Sequence, residues 1–167
     1  MTIDQLNRLN ETKAYEAFEQ CCGASRWVDR MIVGRPYEDL NELLEISDRV
    51  WEECDVEDYQ EAFSHHVAPR DGQSDPWMMG DIKSMNNDPD LANALSEANR
   101  LYEEKFGHVF ICCAIGKGPA ELLSSLQARI KNDPEKEIMI AAEEQNKITR
   151  HRLKRLLHTA SDTISIH

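Results

Sequence analysis

Residues 134–158, PEKEIMIAAEEQNKITRHRLKRLLH, decide how this chain folds. A proline opens the run, where its missing N–H costs nothing in a first helical turn, and neither glycine nor a second proline interrupts it before His158. At about 100° per residue, Ile138, Ala141, Ala142, Thr149, Leu153 and Leu156 fall on one apolar stripe. That stripe predicts a helix laid against a core. Lys147, Arg150, His151, Lys154 and Arg155 point away from it, as solvated bases should. Arg152 does not: it lies roughly 40° from the Ile138–Leu156 line, with Gln145 two turns earlier on the same face. A guanidinium keeps its proton and a buried unpaired charge is too costly to persist, so Arg152 needs an anionic or multiply accepting partner. One of the protein's own carboxylates and a bound ligand's anion or carbonyl both satisfy that need.

Working outward, the rest of the chain carries the same helical punctuation. Thr2, Thr12, Ser25, Asp55 and Asp88 stand where a side-chain oxygen can accept from a first helical turn, and Pro36, Pro89, Pro119 and Pro134 suit first-turn positions. Gly23, Gly34 and Gly107 sit where helices end. Between these marks the spacing predicts helices over Ile3–Asn10, Lys13–Cys22, Ser25–Val33, Tyr37–Cys54, Val56–His65, Pro89–Phe106, Pro119–Lys131 and Pro134–His158. The expected fold is all-α, a compact single-domain bundle of about eight helices spanning residues 1–167. Two segments interrupt it. His66–Asn87 is rich in Pro, Gly, Asp and Asn and is long for a loop in a small domain, which often marks function. His108–Ile115, HVFICCAI, is apolar and β-branched, and reads either as extended chain or as a buried helical turn.

Composition narrows the function classes. Thirty-one acidic residues against nineteen Lys and Arg leave a formal net charge of −12, which argues against nucleic acid or anionic lipid as partner. No stretch is long and apolar enough to cross a bilayer, and no basic-then-apolar leader opens the chain, so the expected location is cytoplasmic. Five cysteines, Cys21, Cys22, Cys54, Cys112 and Cys113, fall in two adjacent pairs plus one. An odd count without C-x-x-C reads as buried reduced thiols rather than a disulfide framework or a zinc site, with a catalytic thiolate as the lesser alternative. Dinucleotide and phosphate-cradling motifs are absent, so neither cofactor nor metal is expected. His65 and His66 close a predicted helix, which turns one ring toward the body and the other toward solvent. An imidazole is the side chain suited to moving a proton near neutral pH.

Taken in order, CCGASRW (residues 21–27), RPY (35–37), EAFSHH (61–66), YEEKFGHVFICCAIGK (102–117) and EQNKITRHRL (144–153) resemble the 2-oxo-4-hydroxy-4-carboxy-5-ureidoimidazoline decarboxylases of urate degradation. The likeness spans nearly the whole chain. It implies an all-α, usually dimeric and cofactor-free enzyme that converts a small ureidoimidazoline substrate to (S)-allantoin and carbon dioxide. It also implies site residues. His66 matches the catalytic histidine and Arg152 the substrate-binding arginine, while Phe110 and Ile111 fall where the family brings main-chain groups to the substrate. Gln145 joins Arg152 on substrate oxygens. The family's histidine ordinarily begins His-Pro-x-Ile-Gly and is followed by a Trp with Glu-Gln. Here the chain reads Val67-Ala68-Pro69-Arg70-Asp71 after His66, with Trp77, Asp81 and Ile82 at the nearest spacing. Asp81 is therefore the candidate for the second catalytic residue, one methylene shorter than glutamate.

Two further functional classes stand beside a decarboxylase. One is a non-catalytic helical protein that binds a small molecule or a partner on the same scaffold. The other is a thiol enzyme using Cys112 or Cys113.

Overall fold

The computed structural model describes residues 1–66, 89–113 and 117–165, with side chains described as far as residue 157. Among these residues there are eight helices and no strand: α1 (Ile3–Arg8), α2 (Glu11–Glu19), α3 (Ser25–Val33), α4 (Leu40–Glu53), α5 (Val56–Ser64), α6 (Pro89–Phe106), α7 (Pro119–Ile130) and α8 (Pro134–Ser165). The fold is all-α, as the helical punctuation predicts. Asp81, Trp77 and Ile82, with the cap expected at Asp88, lie outside the described residues.

The helix starts show which polar side chains win the free N–H groups of a first turn. Thr2 and Gln5 make a reciprocal capping box on α1, the Thr2 hydroxyl accepting from Gln5 N–H and the Gln5 side chain from Thr2 N–H. Thr12 is not the cap of α2. Asn10 Oδ1 accepts from Lys13 N–H at 2.8 Å, so the helix begins at Glu11, earlier than expected. Pro36 likewise lies ahead of α4, because Asp39 Oδ1 accepts from Glu42 N–H at 2.8 Å and starts that helix at Leu40. Helix α3 begins at Ser25 as expected, but its cap comes from elsewhere. The Glu61 carboxylate of α5 accepts from Ser25 N–H at 2.8 Å and from its hydroxyl at 2.9 Å. A carboxylate there also meets the positive end of the α3 dipole. Asp55 and Asp58 exchange backbone N–H bonds at 3.0 and 3.1 Å and open α5. Gly34 caps the end of α3, and Gly107, at φ +80°, takes the left-handed conformation that stops α6.

The chain divides into two compact units. The first holds Met1–Ala62 and Thr149–His167. Its core is built from Leu6, Phe18, Trp27, Met31 and Leu43, all fully buried, with α2 packed on α3 and α3 on α4. Phe18 and Trp27 meet edge to face at 5.8 Å, and the Trp27 indole N–H donates to the Ser47 hydroxyl at 3.2 Å. Cys21, Cys22 and Cys54 are buried free thiols here, each pushed up to about 12 chiefly by burial.

The second unit, Phe63–Ile148, packs α6 on α7 around Leu95, Tyr102, Leu122 and Leu126. Tyr102 gathers the rings of Phe106, His108 and Phe110 around it at 4.6, 5.5 and 5.3 Å. After Gly107 the chain is neither helix nor strand through Cys113, and Phe110–Cys113 are buried. The described part of the 108–115 segment is therefore not a helical turn.

The buried face of α8 is turned from the one the apolar residues outline. Ala141, Ala142, Thr149 and Leu153 are buried as expected, whereas Ile138 and Leu156 are only half-buried. Glu137, Glu144, Gln145 and Ile148 take their place. Periodicity scores carboxylates as solvent-facing, and these two are inside because each is bonded there.

Candidate active site

The site begins where α5 ends. His66 N–H donates to the Phe63 carbonyl at 3.1 Å, a tight turn that closes the helix and sends the chain on. His65 is exposed and His66 buried, the division expected of adjacent residues at a helix terminus. Phe63, fully buried, packs its ring on that of His108 at 4.9 Å and anchors the turn in the second unit. His66 Nε2 lies 2.5 Å from Gln145 Oε1, with Gln145 fully buried on α8. An amide oxygen only accepts, so Nε2 carries the proton. Gln145 thus holds the tilt of the imidazole.

One residue earlier on α8, Glu144 holds the non-helical segment that contains Phe110 and Ile111. Its Oε1 accepts from Cys113 N–H at 3.1 Å, and Lys147 Nζ lies 2.5 Å from Oε2. Lys117 Nζ stands 3.9 Å away. Burial alone would raise the Glu144 carboxyl, but the Lys147 and Cys113 bonds outweigh it and hold the group below its usual range. Glu144 is therefore a fixed anion at the foot of this segment.

Two turns further back, Glu137 is fully buried and is the centre of a second anchor. Its Oε2 accepts from Arg129 Nε at 2.9 Å, from Arg129 Nη2 at 2.6 Å and from the Tyr102 hydroxyl at 2.5 Å. Asn132 Nδ2 donates to Oε1 at 3.1 Å. Arg129 turns its remaining arm to the Ile111 carbonyl at 2.7 Å and lays its guanidinium over the Phe110 ring at 4.5 Å. Burial works against the Arg129 charge, and the Glu137 bonds more than offset it. Tyr102 is raised by burial and by the same carboxylate.

A buried arginine paired with an internal acid is thus found at Arg129, in α7. A signal was present. Arg129 follows Leu122 and Leu126 at helical spacing on the buried face of α7, a cation on an apolar face as Arg152 is on α8. Glu137 and Glu144 had no such signal, since each is buried by a partner on another element.

Arg152 belongs to the first unit, where it is half-buried and its Nη1 donates to the Cys21 carbonyl at 3.5 Å. Burial pulls its guanidinium below the usual range. His66, Gln145, Phe110 and Ile111 belong to the second unit, and of these His66 and Gln145 are directly bonded. Cys112 has its thiol raised by burial, with Lys117 Nζ at 3.5 Å pulling weakly the other way, so it is a thiol rather than a ready thiolate. Among the described residues no three His, Cys, Asp or Glu side chains cluster to hold a metal ion. No described helix is long and apolar enough to cross a membrane.

The OHCU decarboxylase family model matches residues 7–154. The uric acid degradation bifunctional protein TTL of Arabidopsis thaliana is 32% identical over 161 residues, covering 90% of this chain and 49% of that protein. The chain thus spans about half the length of that relative. A 2-oxo-4-hydroxy-4-carboxy-5-ureidoimidazoline decarboxylase of Haloferax volcanii is 22% identical over 160 residues, 92% of this chain and 94% of its own. A crystal structure of an OHCU decarboxylase in the presence of (S)-allantoin superposes with a TM-score of 0.70 at 32% identity, over 84% of this chain and 96% of that one.

Proposed function

The chain belongs to the OHCU decarboxylase family, and from that premise we propose that it converts 2-oxo-4-hydroxy-4-carboxy-5-ureidoimidazoline to (S)-allantoin and carbon dioxide in urate degradation. The observation that carries this proposal is the His66–Gln145 bond. A buried imidazole held by a fixed amide at 2.5 Å is oriented for proton transfer.

The substrate's own structure supplies the electron sink. A carboxylate and a hydroxyl share one ring carbon beside a C=N bond, so the pair released as the C–C bond breaks is accepted by that C=N. The nitrogen of that C=N takes up one proton as it accepts the pair, the hydroxyl gives up its proton as the ring carbonyl forms, and a proton is added to one face of the ureido-bearing carbon. Net uptake is one proton per carbon dioxide lost. The protein must orient the departing carboxylate, stabilise charge on the ring and deliver the proton from one side.

In this proposal His66 moves the proton at the hydroxyl or ring carbon. Asp81 holds the histidine or the substrate hydroxyl, Arg152 and the Gln145 amide nitrogen bind substrate oxygens, and main-chain groups at Phe110 and Ile111 receive the ring. The cytoplasmic location and the homodimer implied by the family likeness are part of the same proposal, the latter checked by light scattering. The direct test is decarboxylation of freshly generated substrate, followed by circular dichroism of the product. Formation of (S)-allantoin well above the spontaneous rate is the expected result. Binding of allantoin with only the spontaneous rate would favour the competing reading, a non-catalytic small-molecule-binding or helical interaction protein.

A further inference from the structure

We propose that Arg129 is a positioning residue, tying the Phe110–Cys113 main chain to the same helix that holds His66. The proposal rests on the decarboxylase reading only for what this segment touches. Three residues of α8 do the tying. Glu137 holds Arg129, whose Nη1 donates to the Ile111 carbonyl at 2.7 Å, Glu144 accepts from Cys113 N–H at 3.1 Å, and Gln145 accepts from His66 Nε2 at 2.5 Å. The segment between has neither helix nor strand bonds of its own to set its place. Its carbonyl side is set by Arg129 and its far end by Glu144.

Stability alone does not explain the arrangement. Well-packed apolar side chains of similar volume can often replace a buried ion pair without loss of stability, so the pair's contribution to stability is weak grounds for its place in the core. Here the guanidinium has a use that no apolar residue can copy. It is the donor that fixes one carbonyl of an irregular buried strap, in a plane set by the two bonds to Glu137 and by the Phe110 ring beneath it. A positional error there moves main-chain groups relative to the imidazole, and an error near 1 Å can cost about 100-fold in rate.

The test uses two variants that avoid stranding a buried charge. Arg129→Met combined with Glu137→Gln removes both charges together, and Arg129→Lys keeps the charge while losing the fork. Each is examined by thermal melting, by amide hydrogen exchange over residues 109–113, and by turnover of fresh substrate. A cooperative melt, faster exchange in that segment and a fall of about 100-fold in kcat, with lysine failing to rescue it, is the expected outcome. A folded variant with parental exchange, or with faster exchange and parental kcat, overturns the role given to Arg129. If the double variant does not fold, Arg129→Lys decides by the same measures. If the parent itself fails to turn over, the decarboxylase reading falls. Exchange at 109–113 then decides alone: acceleration supports the tether and parental exchange refutes it.

Discussion

Replacing Gln145 with leucine takes the acceptor away from a buried imidazole and leaves a side chain of similar volume. The His66 Nε2–H, bonded at 2.5 Å in the parent, then has lost that partner inside a buried site. Leaving a buried donor unsatisfied costs about 1–3 kcal/mol, on the order of 5 °C in melting temperature for a domain of this size. The kinetic effect should be larger than the thermal one. With that bond gone the ring can change tautomer and tilt, and misplacement of about 1 Å lowers kcat by about 100-fold. Gln145→Glu separates geometry from charge. A carboxylate still accepts from Nε2–H but stabilises the imidazolium, so the base form is lost at a higher pH and the acid limb of the rate profile moves upward. Melting curves and pH–rate profiles on fresh substrate read all of this. Parental melting, parental kcat and an unmoved acid limb in both variants would refute the role given to this amide.

Other consequences are open to measurement. Arg129→Met alone strands the Glu137 carboxylate in the core and should cost about 3–5 kcal/mol by urea denaturation, whereas a loss near zero would mean that the pair is solvated. His108 is held below its ordinary value of 6.5 by burial among aromatic rings, so between that lowered value and 6.5 the unfolded chain binds a proton that the folded chain does not. Its contribution to stability is full above about 6.5 and is lost on acidification, and His108→Phe should flatten that part of the stability–pH curve measured in urea. Cys21, Cys22 and Cys54, with thiols pushed up to about 12, should resist iodoacetamide at mildly alkaline pH until the chain unfolds. Rapid native alkylation seen by mass spectrometry would contradict that burial.

The helices were legible wherever a residue's local chemistry fixes the backbone. α3 and α6 run over the spans that their flanking Gly34 and Gly107 and the opening Pro89 mark out. Boundaries moved where a different side chain caps the first turn, as Asn10 does ahead of Thr12 and Asp39 beyond Pro36. That one of His65 and His66 turns inward and the other outward was also readable, because adjacent residues at a helix end diverge; the structure makes His66 the inward one. What could not be read was any pairing across elements. Glu61 capping α3, and Glu137 and Glu144 buried on α8, depend on partners that no single-helix periodicity contains. The role of Gln145 shows the same limit. Its face was legible, but its bond to an imidazole 79 positions away was not.

The most direct measurement follows the optical activity of product made by the parent and by His66→Ala from the same fresh substrate. The parent is expected to yield (S)-allantoin rapidly, and the variant, still folded by far-ultraviolet circular dichroism, to yield racemic allantoin at the spontaneous rate. A folded variant that matched the parent in rate and handedness would contradict the placing of proton transfer at this histidine.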